Sequence, residues 1–118
     1  MESYNTIRRG DVFFAELTGG VGSEQNGHRP IVVIQNDIGN KHSTTTIAAI
    51  VTSSQKKNLP THVHVVDEGS GLSDDSIVML EQIRTIDKQR LGSMIGHVSD
   101  ETMELIEDAA LCSLGIVK

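Results

Sequence analysis

The stretch Gly22-Ser23-Glu24-Gln25-Asn26-Gly27-His28-Arg29-Pro30 runs directly into Ile31-Val32-Val33-Ile34-Gln35-Asn36. The first part is a polar, glycine-rich loop, and the second is a continuous apolar run typical of a strand buried on both faces. Loops on a rigid scaffold often carry function. Arg29 lies where the loop meets the strand, so its planar guanidinium can be aimed at a phosphate. Taken alone, the pattern favours a simpler interpretation, a hairpin loop with a solvated arginine, and other motifs have to decide.

The composition indicates one compact domain over residues 1–118. Only 3% of the residues are aromatic, so the core depends on aliphatic side chains, and dimerisation would bury more apolar surface. No apolar run approaches the roughly 20 residues that span a bilayer, and Met1–Thr6 lacks a signal-peptide pattern. The single cysteine, Cys112, excludes an intramolecular disulfide. We therefore expect a cytoplasmic protein without a membrane partner.

The charge is distributed unevenly along the chain. The net charge is −6, with a balance of +1 over residues 1–60 (six basic, five acidic) and −7 over residues 61–118 (four basic, eleven acidic). A reader of duplex DNA is usually basic overall, whereas a groove for a short single strand needs only a few well-placed cations. The charge therefore argues against strong non-specific DNA binding and leaves RNA cleavage at a confined site open.

The order of the predicted elements indicates a mainly β fold with a C-terminal α-helix. Ser99 can cap the helix, apolar residues recur at helical spacing after it, and Gly115 marks its end. Five short strands, a continuation of the last one and a short helical turn precede it. These are Asp11–Leu17, Ile31–Asn36, Thr45–Thr52, Thr61–Val66 and Ser76–Glu81, with Ile83–Ile86 continuing the sheet and the turn at residues 88–91. Such a chain predicts a small curled β-barrel covered by a helix.

Several motifs agree in order and spacing. They are Arg9-Gly10-Asp11-Val12, the Gly22–Pro30 loop, Ile34-Gln35-Asn36-Asp37, Thr52 at the end of an apolar run, Leu59-Pro60-Thr61-His62-Val63 and Leu80-Glu81-Gln82-Ile83-Arg84-Thr85-Ile86-Asp87. From about Arg9 to the C-terminal helix, the chain resembles the MazF/PemK family of toxin endoribonucleases. The resemblance implies an SH3-like barrel of the CcdB/PemK type, assembled as a homodimer. It also implies a type II toxin–antitoxin system with single-stranded RNA as substrate, a MazE-like antitoxin as partner and no cofactor.

Three residues are the predicted catalytic set: Arg29, Thr52 and Ser23. In metal-independent RNA cleavage the ribose 2′-hydroxyl attacks the adjacent phosphorus, which yields a cyclic phosphate and a 5′-hydroxyl end. The enzyme must orient the nucleophile and neutralise charge on the phosphoryl oxygens. Arg29 can hold two of these oxygens at once, and the two hydroxyls can donate to them. The resemblance assigns catalysis to Arg29 and Thr52, with Ser23 assisting. A guanidinium is a poor general base, so the acceptor of the 2′ proton stays open.

A second set of polar side chains is predicted to bind RNA. Long polar tips such as those of Glu24 and Gln25 can contact base edges, which single-stranded RNA displays openly. The alternative interpretation is a solvated loop or edge-strand surface. The full set is Glu24, Gln25, Asn36, Ser53, Thr61, His62, Glu81 and Gln82.

The five histidines raise two further possibilities. His62 and His64 share one face of a strand, yet no neighbouring cysteine or HExxH pattern supports a metal site, so we expect none. A His28–His62 acid/base pair competes with the arginine-centred mechanism, because histidine is the usual residue for such proton transfers. Family members commonly have an apolar residue at the position of His28, so the resemblance gives it no required role.

Two other functions stay open from the sequence. One is a CcdB-like toxin that inhibits DNA gyrase by binding it, which would not need Arg29 and Thr52. The other is an RNA-binding barrel without activity. The chain also departs from the family pattern at Thr18-Gly19-Gly20 and at Thr44, where prolines are common. Fewer prolines make a looser loop, so the recognised RNA sequence is not predicted.

Overall fold

The computed structural model describes residues 7–53 and 58–117. The Met1–Thr6 stretch considered above lies outside these residues. Six strands, two α-helices and two short 3-10 turns follow one another within these residues. They are β1 Asp11–Leu17, β2 Gly27–Val33, α1 Asp37–His42, β3 Thr45–Thr52, β4 His62–His64, a turn at Glu68–Ser70, β5 Ile77–Asp87, a turn at Lys88–Arg90, β6 Leu91–His97 and α2 Asp100–Leu114.

The six strands form one antiparallel sheet in the order β4-β5-β3-β2-β1-β6. The two predicted segments Ser76–Glu81 and Ile83–Ile86 are a single strand, β5, which pairs with β3 across a register shift between Ala49 and Ile50. Among the described residues no ladder joins β4 to β6, so the curled sheet is open rather than a closed barrel. The predicted fold class, mainly β with a C-terminal helix, is confirmed.

Apolar side chains are buried on both faces of the sheet. Ile31, Val32 and Val33 have no exposed surface, so the prediction of a strand buried on both faces is confirmed for these three residues. One face gathers Ile31 and Val33 with Phe13, Ile50 and Met79, among others. The opposite face packs against α2. Its cluster includes Val32, Val51, Leu80, Met103 and Ile106.

The boundaries of β2 and β4 differ from the prediction. The strand predicted at Ile31–Asn36 ends at Val33 and begins at Gly27, inside the stretch predicted as a loop. Beyond Val33 the Ile34 and Gln35 amides both donate to the Ile47 carbonyl, so the chain turns away from the ladder. The strand predicted at Thr61–Val66 covers only His62–His64.

Two elements, α1 and β6, were not predicted. Helix α1 has six residues and begins at the Asn36 cap, so it is too short to show helical periodicity. Strand β6 pairs with β1 across two register shifts, around Phe13. These bulges break the apolar alternation that identifies a strand in a sequence. The predicted short turn before it is present at Lys88–Arg90.

Helix α2 has the predicted caps. The Ser99 hydroxyl accepts from the Thr102 amide at 3.1 Å, and Gly115 ends the helix with φ 71°. A contact that was not predicted ties the helix to the loop before β5. The Asp67 carboxylate accepts from the Ser99 amide at 2.9 Å and from the Thr102 hydroxyl at 2.9 Å. The N-terminal end of α2 therefore holds one end of the segment 67–76.

The same segment is seated against β6 by two glycines. A Cβ on Gly71 would overlap the Ile95 carbonyl oxygen, and a Cβ on Gly96 would overlap the Gly69 carbonyl oxygen. Gly71 also has φ 74°, a conformation that side chains other than glycine rarely adopt. The close backbone approach fixes the segment 67–76 at one end of the sheet. Within the described part of the chain, no helix is long and apolar enough to cross a membrane.

Candidate active site

Strands β2 and β3 part at one end of the sheet and leave a cleft between them. Their ladder covers only Ile31–Val33 against Ala48–Ile50. Continuing that register by two residues places Arg29 opposite Thr52, but no ladder bonds join the strands there. The gap forms a cavity of about 290 Å³. Its lining includes Phe14, His28, Arg29, Pro30, Thr52, Ser53, Gly71, Leu72, Ser73, Ser76 and Ile95.

Arg29 lies at the mouth of this cleft with much of its donor capacity available. Its Nε donates to the Asn26 carbonyl at 3.0 Å, which braces the side chain against its own loop. No carboxylate of residues 7–53 or 58–117 forms an ion pair with it. The side chain is thus not locked in a structural ion pair, and it fits the predicted role of an anion clamp.

Thr52 lines the same cleft at the end of β3, opposite Ile77 of β5. It is 5% exposed, whereas Ser53, which also lines the cleft, is exposed. Two further hydroxyls were missed by the sequence analysis: those of Ser73 and Ser76, which lie 3.1 Å apart. They belong to the segment 67–76, and only the folded chain brings that segment to β2 and β3. No motif in the sequence pointed to them.

The loop residues predicted to act beside Arg29 face a different cavity. Ser23 and Gln25 line a neighbouring cavity of about 390 Å³, together with Leu59, His62, Met79, Glu81 and Gln82. Glu24 accepts from the amide of Val21 at 2.7 Å and so braces its own loop. The Gln82 side chain donates to the Ser23 carbonyl at 3.3 Å, which ties the loop to β5. The structure therefore brings Ser23 to the predicted RNA-binding residues rather than to Arg29.

Glu81 is the centre of a hydrogen-bonded cluster in this second cavity. The Thr61 hydroxyl donates to one carboxylate oxygen at 2.7 Å, and His62 Nε2 lies 2.8 Å from the other. Burial raises the pKa of Glu81, but the hydrogen bonds from Thr61 and His62 outweigh it and hold the pKa below its usual range. Glu81 is therefore a carboxylate of fixed orientation, suited to accept hydrogen bonds from a base edge.

His62 is buried behind that carboxylate. Its side chain is 5% exposed. A carboxylate only accepts, so the bond to Glu81 places a proton on Nε2. The other ring nitrogen, Nδ1, is buried and has no partner among the described residues. His62 thus helps to hold the Glu81 carboxylate in its orientation.

Asn36 lies away from the cleft, and the histidines do not share one site. The Asn36 side chain caps α1 by accepting from the Gly39 amide at 2.8 Å, at the far end of β2 from Arg29. His28 and His62 line different cavities, so the structure does not bring the possible acid/base pair together. His64 is exposed on β4. Among the described residues, no group of three or more His, Cys, Asp or Glu side chains is arranged to hold a metal ion.

Comparison with known proteins agrees with this geometry. Endoribonuclease EndoA of Bacillus subtilis (strain 168) is 52% identical over 112 residues, which are 94% of this chain and 97% of that protein. A solved endoribonuclease from a mycobacterial species superposes with a TM-score of 0.81 at 26% identity and covers 99% of both chains. A second mycobacterial endoribonuclease, solved with its cognate antitoxin, gives a TM-score of 0.80 at 26% identity, over 95% of this chain and 98% of that one.

The sequence profile points the same way. Residues 8–114 match the family described as PemK-like, MazF-like toxins of type II toxin–antitoxin systems. This span includes every residue of the cleft and of the second cavity, and it confirms the resemblance seen in the motifs. The chain therefore belongs to the PemK-like, MazF-like toxin family of type II toxin–antitoxin systems.

Proposed function

We propose that this protein is a toxin endoribonuclease that cuts single-stranded RNA at specific sequences without a metal ion. The ribose 2′-hydroxyl attacks the adjacent phosphorus and leaves a cyclic phosphate and a 5′-hydroxyl end. One observation carries the proposal: Arg29, free of ion pairs within the described residues, shares a cleft with Thr52. The 52% identity to an endoribonuclease supports it.

The cleft supplies the charge stabilisation that this reaction needs. Negative charge builds up on the phosphoryl oxygens in the transition state, and donors fixed in advance stabilise it most. The Arg29 terminal nitrogens can grip two oxygens at once. Thr52, held at the strand end beside it, can add a hydroxyl donor. Ser53, Ser73 and Ser76 supply further hydroxyls around the same space.

The second cavity supplies a place for base recognition. Glu81 offers fixed acceptors, while the amides of Gln25 and Gln82 offer both donors and acceptors. Single-stranded RNA exposes the base edges that such groups recognise. We assign this cavity, with Thr61 and His62 as supports of Glu81, to the bases that flank the cut. Ser23 belongs to this group by its position.

We further propose a cognate antitoxin and a homodimer, acting in the cytoplasm. A mycobacterial relative was solved with its cognate antitoxin, which supports an antitoxin here. Exposed apolar side chains beside a cavity of about 840 Å³, including Ile47 and Leu114, offer surface that a second copy would cover. A gyrase-binding toxin of the CcdB type is not favoured, because the chain matches the PemK-like and MazF-like toxins.

Incubation with a mixed pool of RNA, followed by sequencing of the 5′-hydroxyl ends, tests the proposal. We expect ends that share a short sequence. The Arg29→Ala variant should lose activity by at least about 10²–10³-fold, the usual cost of one oxyanion donor. Arg8→Ala removes the same charge from an exposed position outside the cleft and should cut at the normal rate. Intact RNA with the wild-type protein, or equal rates for both variants, would contradict the proposal.

A further inference from the structure

We propose that His28 accepts the proton of the ribose 2′-hydroxyl when the RNA is cut. The inference rests on the proposed function and names the general base that an arginine cannot provide. His28 lines the same cleft as Arg29 and Thr52. It lies in a region predicted from the sequence to be a flexible loop, but the structure places it in β2. A strand holds a catalytic side chain more rigidly than a loop does.

Two contacts fix the His28 ring. It stacks on Phe14 with ring centroids 4.9 Å apart and an angle of 12° between the planes. Its Nδ1 lies 3.3 Å from a carboxylate oxygen of Glu16, which is its partner across the β1–β2 ladder. Because a carboxylate only accepts hydrogen bonds, this contact requires the proton on Nδ1. In the neutral ring Nε2 then carries the lone pair, which is the form that a general base needs.

The parted strands let His28 and Arg29 serve one substrate. Neighbouring side chains on a strand point to opposite faces, so the two side chains approach from different sides of β2. The cleft is a gap between strands rather than a surface of one face, and both residues line it. This arrangement keeps the proton acceptor apart from the clamp on the phosphoryl oxygens. Next to the ring, β6 contributes Gly92, whose missing side chain leaves room beside His28.

The proposed step balances with water as the only further reactant. The O2′–H bond breaks and its proton forms a bond to Nε2 of His28, while O2′ forms the new bond to phosphorus. The P–O5′ bond breaks and its electron pair stays on O5′, which takes a proton from water. The hydroxide left by that water takes the proton back from His28. Arg29 stays protonated throughout, and the products are a cyclic phosphate and a 5′-hydroxyl end.

The charged groups around His28 come from three elements. They are Glu16 on β1, whose carboxylate lies 3.3 Å from Nδ1 of the ring, and Arg29 on β2, which lines the same cleft. The segment 67–76 contributes Asp75, which accepts from the cleft residue Ser73 at 2.8 Å. Because a protonated imidazole has no lone pair with which to accept the 2′ proton, the reaction should slow in acid.

A DNA oligonucleotide with one ribonucleotide, at a cut position mapped with the RNA pool, allows the test. His28→Phe keeps an aromatic ring on Phe14 but has no proton acceptor. We expect its single-turnover rate at neutral pH to fall by about 10²–10⁴-fold, the usual contribution of a general base, and the loss of rate in acid to disappear. His28→Ala should regain rate when imidazole is added. His64→Phe, an exposed control on β4, should match the wild type.

The results separate this proposal from the proposed function. If His28→Phe retains the wild-type rate and pH profile while Arg29→Ala is inactive, His28 is not the base and the endoribonuclease assignment stands. Loss of rate in His28→Ala without rescue by imidazole, in a variant that melts like the wild type, also overturns the proposal. If the wild-type protein leaves the oligonucleotide intact, the proposed function itself fails.

Discussion

Replacing Gly71 by alanine tests whether the segment 67–76 is seated on β6 and shapes the cleft. The new Cβ would overlap the Ile95 carbonyl oxygen and would lie 2.9 Å from the Ile95 carbonyl carbon. Alanine at φ 74° costs about 1–2 kcal/mol, and forcing a methyl into a filled space costs about 1–3 kcal/mol more. Urea unfolding should therefore show a loss of about 2–5 kcal/mol. Since Gly71 lines the cleft, RNA cleavage should also slow.

Gly19→Ala is the matched control for that experiment. Gly19 has φ 80°, but its Cβ would meet nothing within 4 Å. The control therefore carries only the conformational cost of about 1–2 kcal/mol. The difference between the two variants measures the clash alone. Equal losses would show that the segment does not press on β6 and would refute the reasoning.

Two further predictions concern α2 and its contacts. Asp67→Asn should lower the stability by about 1–2 kcal/mol at pH 7, as hydrogen bonds to a charged group are weakened. Burial raises the pKa of Asp67, but the bonds from Ser99 and Thr102 outweigh it and keep the pKa below its usual range. Because the pKa of Asp67 is lower in the folded than in the unfolded protein, its carboxylate stabilises the fold above the ordinary aspartate pKa. This stabilisation is lost as the pH falls through the pKa of the folded state. Urea titrations should then show the two proteins converging in acid, and a gap that persists there would contradict this account. Ile106 is 1% exposed, so Ile106→Ala should lower the free energy of unfolding by about 2–5 kcal/mol. Leu105 is 54% exposed, so Leu105→Ala should change it by no more than about 0.5 kcal/mol. Thermal melts in which Leu105→Ala is the less stable variant would contradict the packing of the Ile106 face of α2 on the sheet.

The elements with a clear local signal were predictable. The strand Thr45–Thr52 is a long β-branched run, and α2 has a serine cap, helical spacing and a terminal glycine, so both have the predicted bounds or caps. Local signals failed where the sheet is irregular. Strand β6 was missed because bulges disturb its alternation, and β2 was placed too late because Gly27 and His28 look like loop residues.

The candidate site was predictable only in part. Arg29 and Thr52 stand at strand ends in motifs that carry the family resemblance, and the structure places them in one cleft. Ser73 and Ser76 reach that cleft through the seating of a distant segment, which no local pattern encodes. Asn36 matched a family motif, yet in the structure it caps α1. A sequence motif predicts which positions carry polar residues, but the tertiary packing determines what those residues contact.

The most direct test of the central claim is a single-atom change in the substrate. An RNA oligonucleotide that is cut once is compared with the same oligonucleotide in which the 2′-hydroxyl at the cut is replaced by hydrogen. If a ribose cleaves its own backbone while Arg29 offsets the charge on phosphorus, the substituted oligonucleotide stays intact while the unmodified one gives a cyclic phosphate. Cutting of the deoxy-substituted strand at the same position would show that water, not the ribose, attacks, and would contradict the account.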